Sequence, residues 1–295
     1  MQTLAKIMEQ IEEATFQIDK NTATGSRLAL ILIDNALELT MWQTIKEMCT
    51  YRDPGEKIKS MEMYKFFPKK TQFLVSNYII TGETKTIFDE CHKHRNEVYH
   101  QNISKESIIN DLAKIYLEAC CKVIFTVFDD SFCTITPMRP VPDILIRYNI
   151  VKNDKWVELN VLNDKSANPL NGRMCSQHQL FQTLESDINN RIEKVRSNFV
   201  DIDSFSTSNG NYEKEKFALN ALSLRASKIK FSADIPNALT SYRTIDEKLI
   251  QIELSTEFGV YQAYCAEELE YECSIDACYE ALQDEPSRDE QDGEA

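Results

Sequence analysis

Residues 81–102 read TGETKTIFDECHKHRNEVYHQN, and they hold three of the chain's four histidines. Turning about 100° per residue from Phe88, the side chains of Ile87, Cys91, Val98 and Tyr99 fall within an apolar arc of roughly 120°. That periodicity predicts an amphipathic helix that starts after Gly82. Arg95 falls in the middle of the arc. A guanidinium at a core-facing position stays charged, and leaving it unpaired in a dry interior costs several kcal/mol, so something anionic must meet it. Asn96 and His100 form an i, i+4 pair on the flank of the same arc, close enough to act together. Lys93 turns outward, and Lys93 and Tyr99 are the neighbouring candidates for substrate contact.

Working outward, residues 2–19 place Leu4, Ile7, Met8, Ile11 and Ile18 near helical spacing. Residues 26–53 follow as about 23 residues of helix former, with Ser26 as cap and a stop at Asp53-Pro54-Gly55. This segment is apolar nearly all round, which places it at the centre of a bundle. Shorter helices are expected near 56–66 and 70–80, and a further one of about six turns runs through the apolar stretch before Asp129-Asp130. Pro137, Pro140 and Pro142 then mark a connector.

After the connector, Ile144, Ile146, Tyr148 and Ile150 alternate with polar residues, as do Val157, Leu159 and Val161, about a polar loop at Asn153-Asp154. That pattern predicts a small β-hairpin. Residues 175–202 read as helix, 203–216 as a polar linker, and 241–270 as a last helix. The fold class expected is mainly α: a helical bundle over 1–130, a connector, hairpin and helical region over 131–282, and an acidic disordered tail over 283–295. Seven glycines and eight prolines in 295 residues fit long helices better than many tight turns.

The formal net charge of −14 is unevenly spread. Residues 267–295 carry twelve Asp or Glu against a single Arg, whereas residues 56–105 carry nine Lys or Arg against six acids. The net charge alone therefore does not exclude a nucleic-acid partner, because a local basic surface is what binding phosphates requires. The nine cysteines include no C-x-x-C pair and read as reduced packing residues. No stretch approaches the roughly 18 apolar residues of a membrane span, and the first residues form no charged-then-apolar leader, so a cytoplasmic protein without membrane contact is expected.

Two readings of Arg95 follow from the residues. In the structural one, Glu38, which lies among Leu28, Ile31, Trp42 and Ile45, is its buried ion-pair partner, and His100 is a helix-terminal residue favoured by the dipole. In the functional one, a guanidinium fork matches a phosphodiester, and an imidazole, with a reference pKa of about 6.5, exchanges a proton near neutral pH. Arg95, Asn96 and His100 would then be catalytic: His100 moves a proton at the ribose 2′-hydroxyl or at the leaving oxygen, Arg95 stabilises the charge on the phosphorane, and Asn96 orients His100 or substrate. His92 and His94 read as solvated or packing residues. Cys91 and His94 show no further ligands beside them, so neither a metal nor another cofactor is expected.

The stretch RNEVYH, residues 95–100, resembles the R-x4-6-H motif of HEPN domains, whose members often carry Asn, Asp or His directly after the Arg. The upstream stretch LALILIDNALELTMW, residues 28–42, also resembles the second helix of that family. The resemblance implies an α-helical HEPN bundle over residues 1–130 and a metal-independent endoribonuclease of the toxin or antiviral-defence kind. It further implies a homodimer in which two Arg/His motifs share one cleft, RNA as substrate, and an inhibitory or sensor protein as a further partner. Asn102 stands where members silenced by nucleotide addition carry Tyr, so that mode of control is not expected. The competing expectation is a non-catalytic HEPN-like module that binds a partner protein or a nucleotide.

Overall fold

The computed structural model describes residues 2–50, 66–100, 106–131, 142–148, 151–152, 155–156, 177–204, 212–228 and 234–283. They are mainly helical. In chain order the helices are α1 (Gln2–Asp19), α2 (Ala23–Thr50), α3 (Phe67–Ser76), α4 (Gly82–His100), α5 (Glu106–Ser131), α6 (Asp143–Arg147), α7 (Gln177–Ser204), α8 (Glu213–Lys228) and α9 (Ile235–Gln283). The expected helix at 56–66, the connector and the acidic tail lie outside the described residues. Two compact units are formed: one from Met1–Asp187 with Lys230–Tyr242, the other from Ile188–Ile229 with Arg243–Ala295.

In the first unit, α1 buries Leu4, Ile7, Met8, Ile11, Ala14 and Ile18 along one stripe while Lys6, Glu9 and Glu13 face water. A tight turn joins it to α2, with Asn21 at φ 48°, a left-handed conformation that asparagine tolerates. Thr22, not the expected Ser26, caps α2: its Oγ1 accepts from the Gly25 N–H at 3.1 Å. Ser26 lies one turn inside the helix, fully buried, and donates to Asn110 Oδ1 at 3.2 Å. Gly25 is required here, because a Cβ would stand 2.5 Å from the Gln17 carbonyl oxygen.

α2 packs against α1, α3, α4 and α5, as its apolar composition predicts for a central helix. Ala29, Leu30, Ile33, Ala36, Leu37, Met41 and Ile45 fill the core, and the buried Thr40 and Thr44 hydroxyls donate to the carbonyls of Ala36 and Thr40. Contrary to the expectation that no segment approaches a membrane span, Ala23–Met48 is long and apolar enough to cross one by length and composition. A little over half of that window, 56%, is buried within the protein, as a core helix requires. α5 closes the core with Ile109, Ala113, Tyr116, Leu117, Cys120, Ile124 and Phe128.

The expected β-hairpin is not supported. Ile144 and Ile146 belong to α6, where Ile144 and Leu145 are buried and Ile146 faces out, and Arg147 pairs with Glu12 of α1 at 2.7 Å. Among the described residues only Val151–Lys152 and Lys155–Trp156 pair, antiparallel and two residues each, and Ile150, Val157, Leu159 and Val161 lie outside the described residues. Three apolar residues within a short polar context satisfy both a helical turn and an alternation, and packing against the first unit's core decided for helix.

In the second unit, the part of α7 after Asp187, α8 and the part of α9 after Tyr242 bury Ile188, Ile192, Val195, Phe199, Leu219, Leu222, Ile245 and Leu249. Arg191 is clasped by two carboxylates. Its Nε and Nη2 donate to Glu253 at 2.8 and 2.6 Å, and its Nη1 donates to the fully buried Asp246 at 2.6 Å. The fork on Glu253 is bidentate, the geometry that makes an arginine–carboxylate pair strong. α8 takes in the last four residues of what reads as polar linker and the stretch after it, and α9 extends beyond the expected helix at both ends.

Candidate functional site

Three helices of the first unit meet at one carboxylate. Asp34 lies on the buried face of α2 between Ile33 and Leu37, with its side chain fully enclosed. A carboxylate in such a place must be met by donors, because desolvating it alone costs several kcal/mol. The Tyr116 hydroxyl of α5 donates to Asp34 Oδ1 at 2.6 Å, and His92 Nδ1 of α4 reaches the same oxygen at 2.9 Å. Asp34 Oδ2 lies 3.5 Å from Arg95 Nε. Burial, and then the neighbouring Asp34 charge and its hydrogen bond, push the Tyr116 hydroxyl well above the usual tyrosine range, so it stays a donor.

Arg95 is held at its inner edge by that carboxylate and at its outer edge by its neighbour: Nη1 donates to Asn96 Oδ1 at 2.7 Å. Its side chain remains 23% exposed. The wheel had it core-facing, and it is, but at the rim of the core and not within it. Its carboxylate is Asp34, one turn before Glu38. Glu38 instead accepts from Lys70 Nζ of α3 at 2.7 Å. The reason is the phase of α2: Leu28 and Trp42, which surround Glu38 on the wheel, are 40% and 38% exposed, so that face is the rim.

The histidines separate. His92 lies flat on Phe67 of α3, with ring centroids 3.8 Å apart and 8° between planes, while its Nδ1 engages Asp34. It is therefore part of the charged cluster and not a bystander. His94 is buried on another face, with Nδ1 3.4 Å from Glu97 Oε2 and its ring tilted against Tyr242, whose hydroxyl donates to Asp187 at 2.6 Å. Lys93 faces water and pairs with Glu90 at 2.8 Å. His100 ends α4, one turn beyond Asn96; the side chains of Tyr99 and His100 lie outside the described residues.

Ligand atoms of Asp34, Glu38 and His92 all come within 4.8 Å of one another, the spacing a metal ion would use. Each carboxylate already meets a cation there, Lys70 on Glu38 and Arg95 on Asp34, so a metal ion would have to compete with both. What the arrangement suits is an anion presented at the rim, where a braced guanidinium and an amide sit side by side. Asp34 and His92 are the members that reading the sequence missed. The available signal was Asp34 itself, a lone carboxylate inside the apolar run LALILIDNAL.

Compared with protein-family models, with curated proteins and with solved structures, the chain matches none.

Proposed function

We propose that this chain is a HEPN-type endoribonuclease that cleaves RNA without a metal, through attack of a ribose 2′-hydroxyl on the adjacent phosphodiester. Arg95 grips the scissile phosphate and stabilises the charge of the phosphorane, Asn96 fixes Arg95 and substrate, and His100 transfers a proton. Lys93 and Tyr99 contribute outer contacts to the RNA. Two copies bring their Arg/His motifs to one cleft in the cytoplasm, and a toxin or antiviral-defence role requires an inhibitory or sensor protein to restrain it.

The observation that carries this reading is the state of Arg95. Its Nε is backed by the enclosed Asp34, its Nη1 is tied to Asn96, and the side chain is still partly open to solvent. Orientation without burial is what an electrostatic catalyst of phosphoryl chemistry needs, since the guanidinium need not reorganise when charge develops. The test is cleavage of bulk cellular RNA in the presence of EDTA by wild type, Arg95→Ala and His100→Ala, each checked for folding by circular dichroism. Wild type cleaves, and both variants lose the activity.

One observation favours a second reading, a non-catalytic HEPN-like module that binds a protein or a nucleotide. Asp34, Tyr116, His92 and Arg95 form an enclosed network of two hydrogen bonds and an ion pair, of the kind that fixes one packing of three helices. Under that reading His100→Ala is silent, and Arg95→Ala changes stability alone.

A further inference from the structure

We infer that His92 is a second proton-transfer residue of the proposed site, the general base that takes the 2′-hydroxyl proton, with Asp34 as its positioning residue. The inference rests on the ribonuclease reading and adds to it a residue outside the Arg/His motif. A carboxylate oxygen only accepts, so the contact of His92 Nδ1 with Asp34 Oδ1 at 2.9 Å fixes the proton on Nδ1. In the neutral ring the lone pair then lies on Nε2. Among the described residues Nε2 takes no hydrogen bond, and the side chain is 17% exposed. The Phe67 ring stacked at 3.8 Å and Asp34 together fix the plane and the rotation of the imidazole.

Among the described residues, the ionisable groups around the ring are Asp34 and Glu38 from α2, Lys70 from α3, Arg95 from its own helix and Tyr116 from α5. An imidazole with one nitrogen held by a carboxylate and the other open is the arrangement of a base.

Register places the parts. His92, Asn96 and His100 occupy i, i+4 and i+8 of α4, one row that drifts by about 40° per step, and Arg95 lies beside its middle. The row spans about 12 Å along the axis. In the step proposed, His92 Nε2 takes the proton of the 2′-hydroxyl, and the O2′–P bond forms as the P–O5′ bond breaks. The imidazolium of His100 gives its proton to O5′. Products are a 2′,3′-cyclic phosphate and a 5′-hydroxyl, with one proton taken and one given, and no metal or redox partner enters.

The test uses the full chain, a mixed-sequence single-stranded RNA and bulk cellular RNA in EDTA, with single-turnover rates for wild type, Arg95→Ala, His92→Ala and His92→Gln. His92→Gln keeps an N–H able to reach Asp34 but has no base. Both His92 variants should be slower by on the order of 100-fold or more, with the denaturation midpoint of His92→Gln close to wild type. Free imidazole should speed His92→Ala and leave Arg95→Ala unchanged. If His92→Gln cleaves within a few-fold of wild type while Arg95→Ala is inactive, the inference is overturned and the ribonuclease reading stands. A His92→Ala loss that imidazole leaves unchanged and that tracks a lowered midpoint assigns the ring to packing and also overturns it. Wild type that cleaves neither RNA removes the ribonuclease reading and this inference with it.

Discussion

Asp34→Asn tests whether one enclosed carboxylate joins three helices. Asparagine matches aspartate in size but carries no charge, and one of its two polar ends is a donor. If its Oδ1 keeps Tyr116 and His92, its amide NH2 faces Arg95 Nε, donor against donor, across a gap of 3.5 Å. The Tyr116 bond, 2.6 Å long and buried, passes from a charged to a neutral acceptor and loses about 1 kcal/mol. The His92 bond, at a ring 17% exposed, loses roughly half as much. Arg95, 23% exposed, regains water for much of its charge, so its share is roughly 0.5 kcal/mol. Together these come to about 2 kcal/mol, or a fall of about 4–8 °C in melting temperature for a chain of this size. Tyr116→Phe alone should cost about 1.5 kcal/mol, since it removes one charge-assisted bond. Urea denaturation followed by far-ultraviolet circular dichroism measures both, and the double variant should fall short of their sum by at least about 0.5 kcal/mol. An Asp34→Asn protein within about 0.5 kcal/mol of wild type, or strict additivity in the double variant, would refute the hub.

Gly25→Ala should destabilise by about 1–3 kcal/mol in the same assay, because the new Cβ meets the Gln17 carbonyl oxygen at 2.5 Å and the α1–α2 turn must move. Burial pushes the Cys121 thiol up to about 12 and the enclosed Cys120 well above its usual range, so neither should react with iodoacetamide at pH 8 until urea unfolds the first unit, as mass spectrometry would read. The same shifts set the alkaline limb of stability. Tyr116, Cys120 and Cys121 hold their protons more tightly folded than unfolded, so their contribution is complete below the ordinary thiol and phenol values of about 9 and 10 and is lost as pH rises beyond them. Denaturation midpoints should fall above about pH 9, by up to about 1.4 kcal/mol per pH unit for each group titrating, and less steeply in Cys121→Ala.

Much of the helical framework was legible because it follows from a 3.6-residue apolar period. α1, α4, α5 and α7 begin and end close to where the pattern does. α2 was legible as a central helix but not in its phase, since a segment apolar nearly all round does not say which face is innermost. That ambiguity is why Glu38 was expected to meet Arg95 and Asp34 was not. The pairings that define the site join residues 58 and 82 positions apart, and such separations leave no periodic trace in the chain. His92 was passed over for the same reason: its partners Asp34 and Phe67 come from α2 and α3, and nothing on its own helix announces them. The hairpin failed where short apolar alternation and a single helical turn are indistinguishable until something packs against them.

The most direct measurement is the identity of the ends left on RNA incubated with the purified chain in EDTA, beside Arg95→Ala and His100→Ala proteins of matched circular dichroism. Wild type should leave 2′,3′-cyclic phosphate and 5′-hydroxyl termini, and neither variant should leave any. Intact RNA with all three proteins, or equal cleavage by all three, would contradict the account.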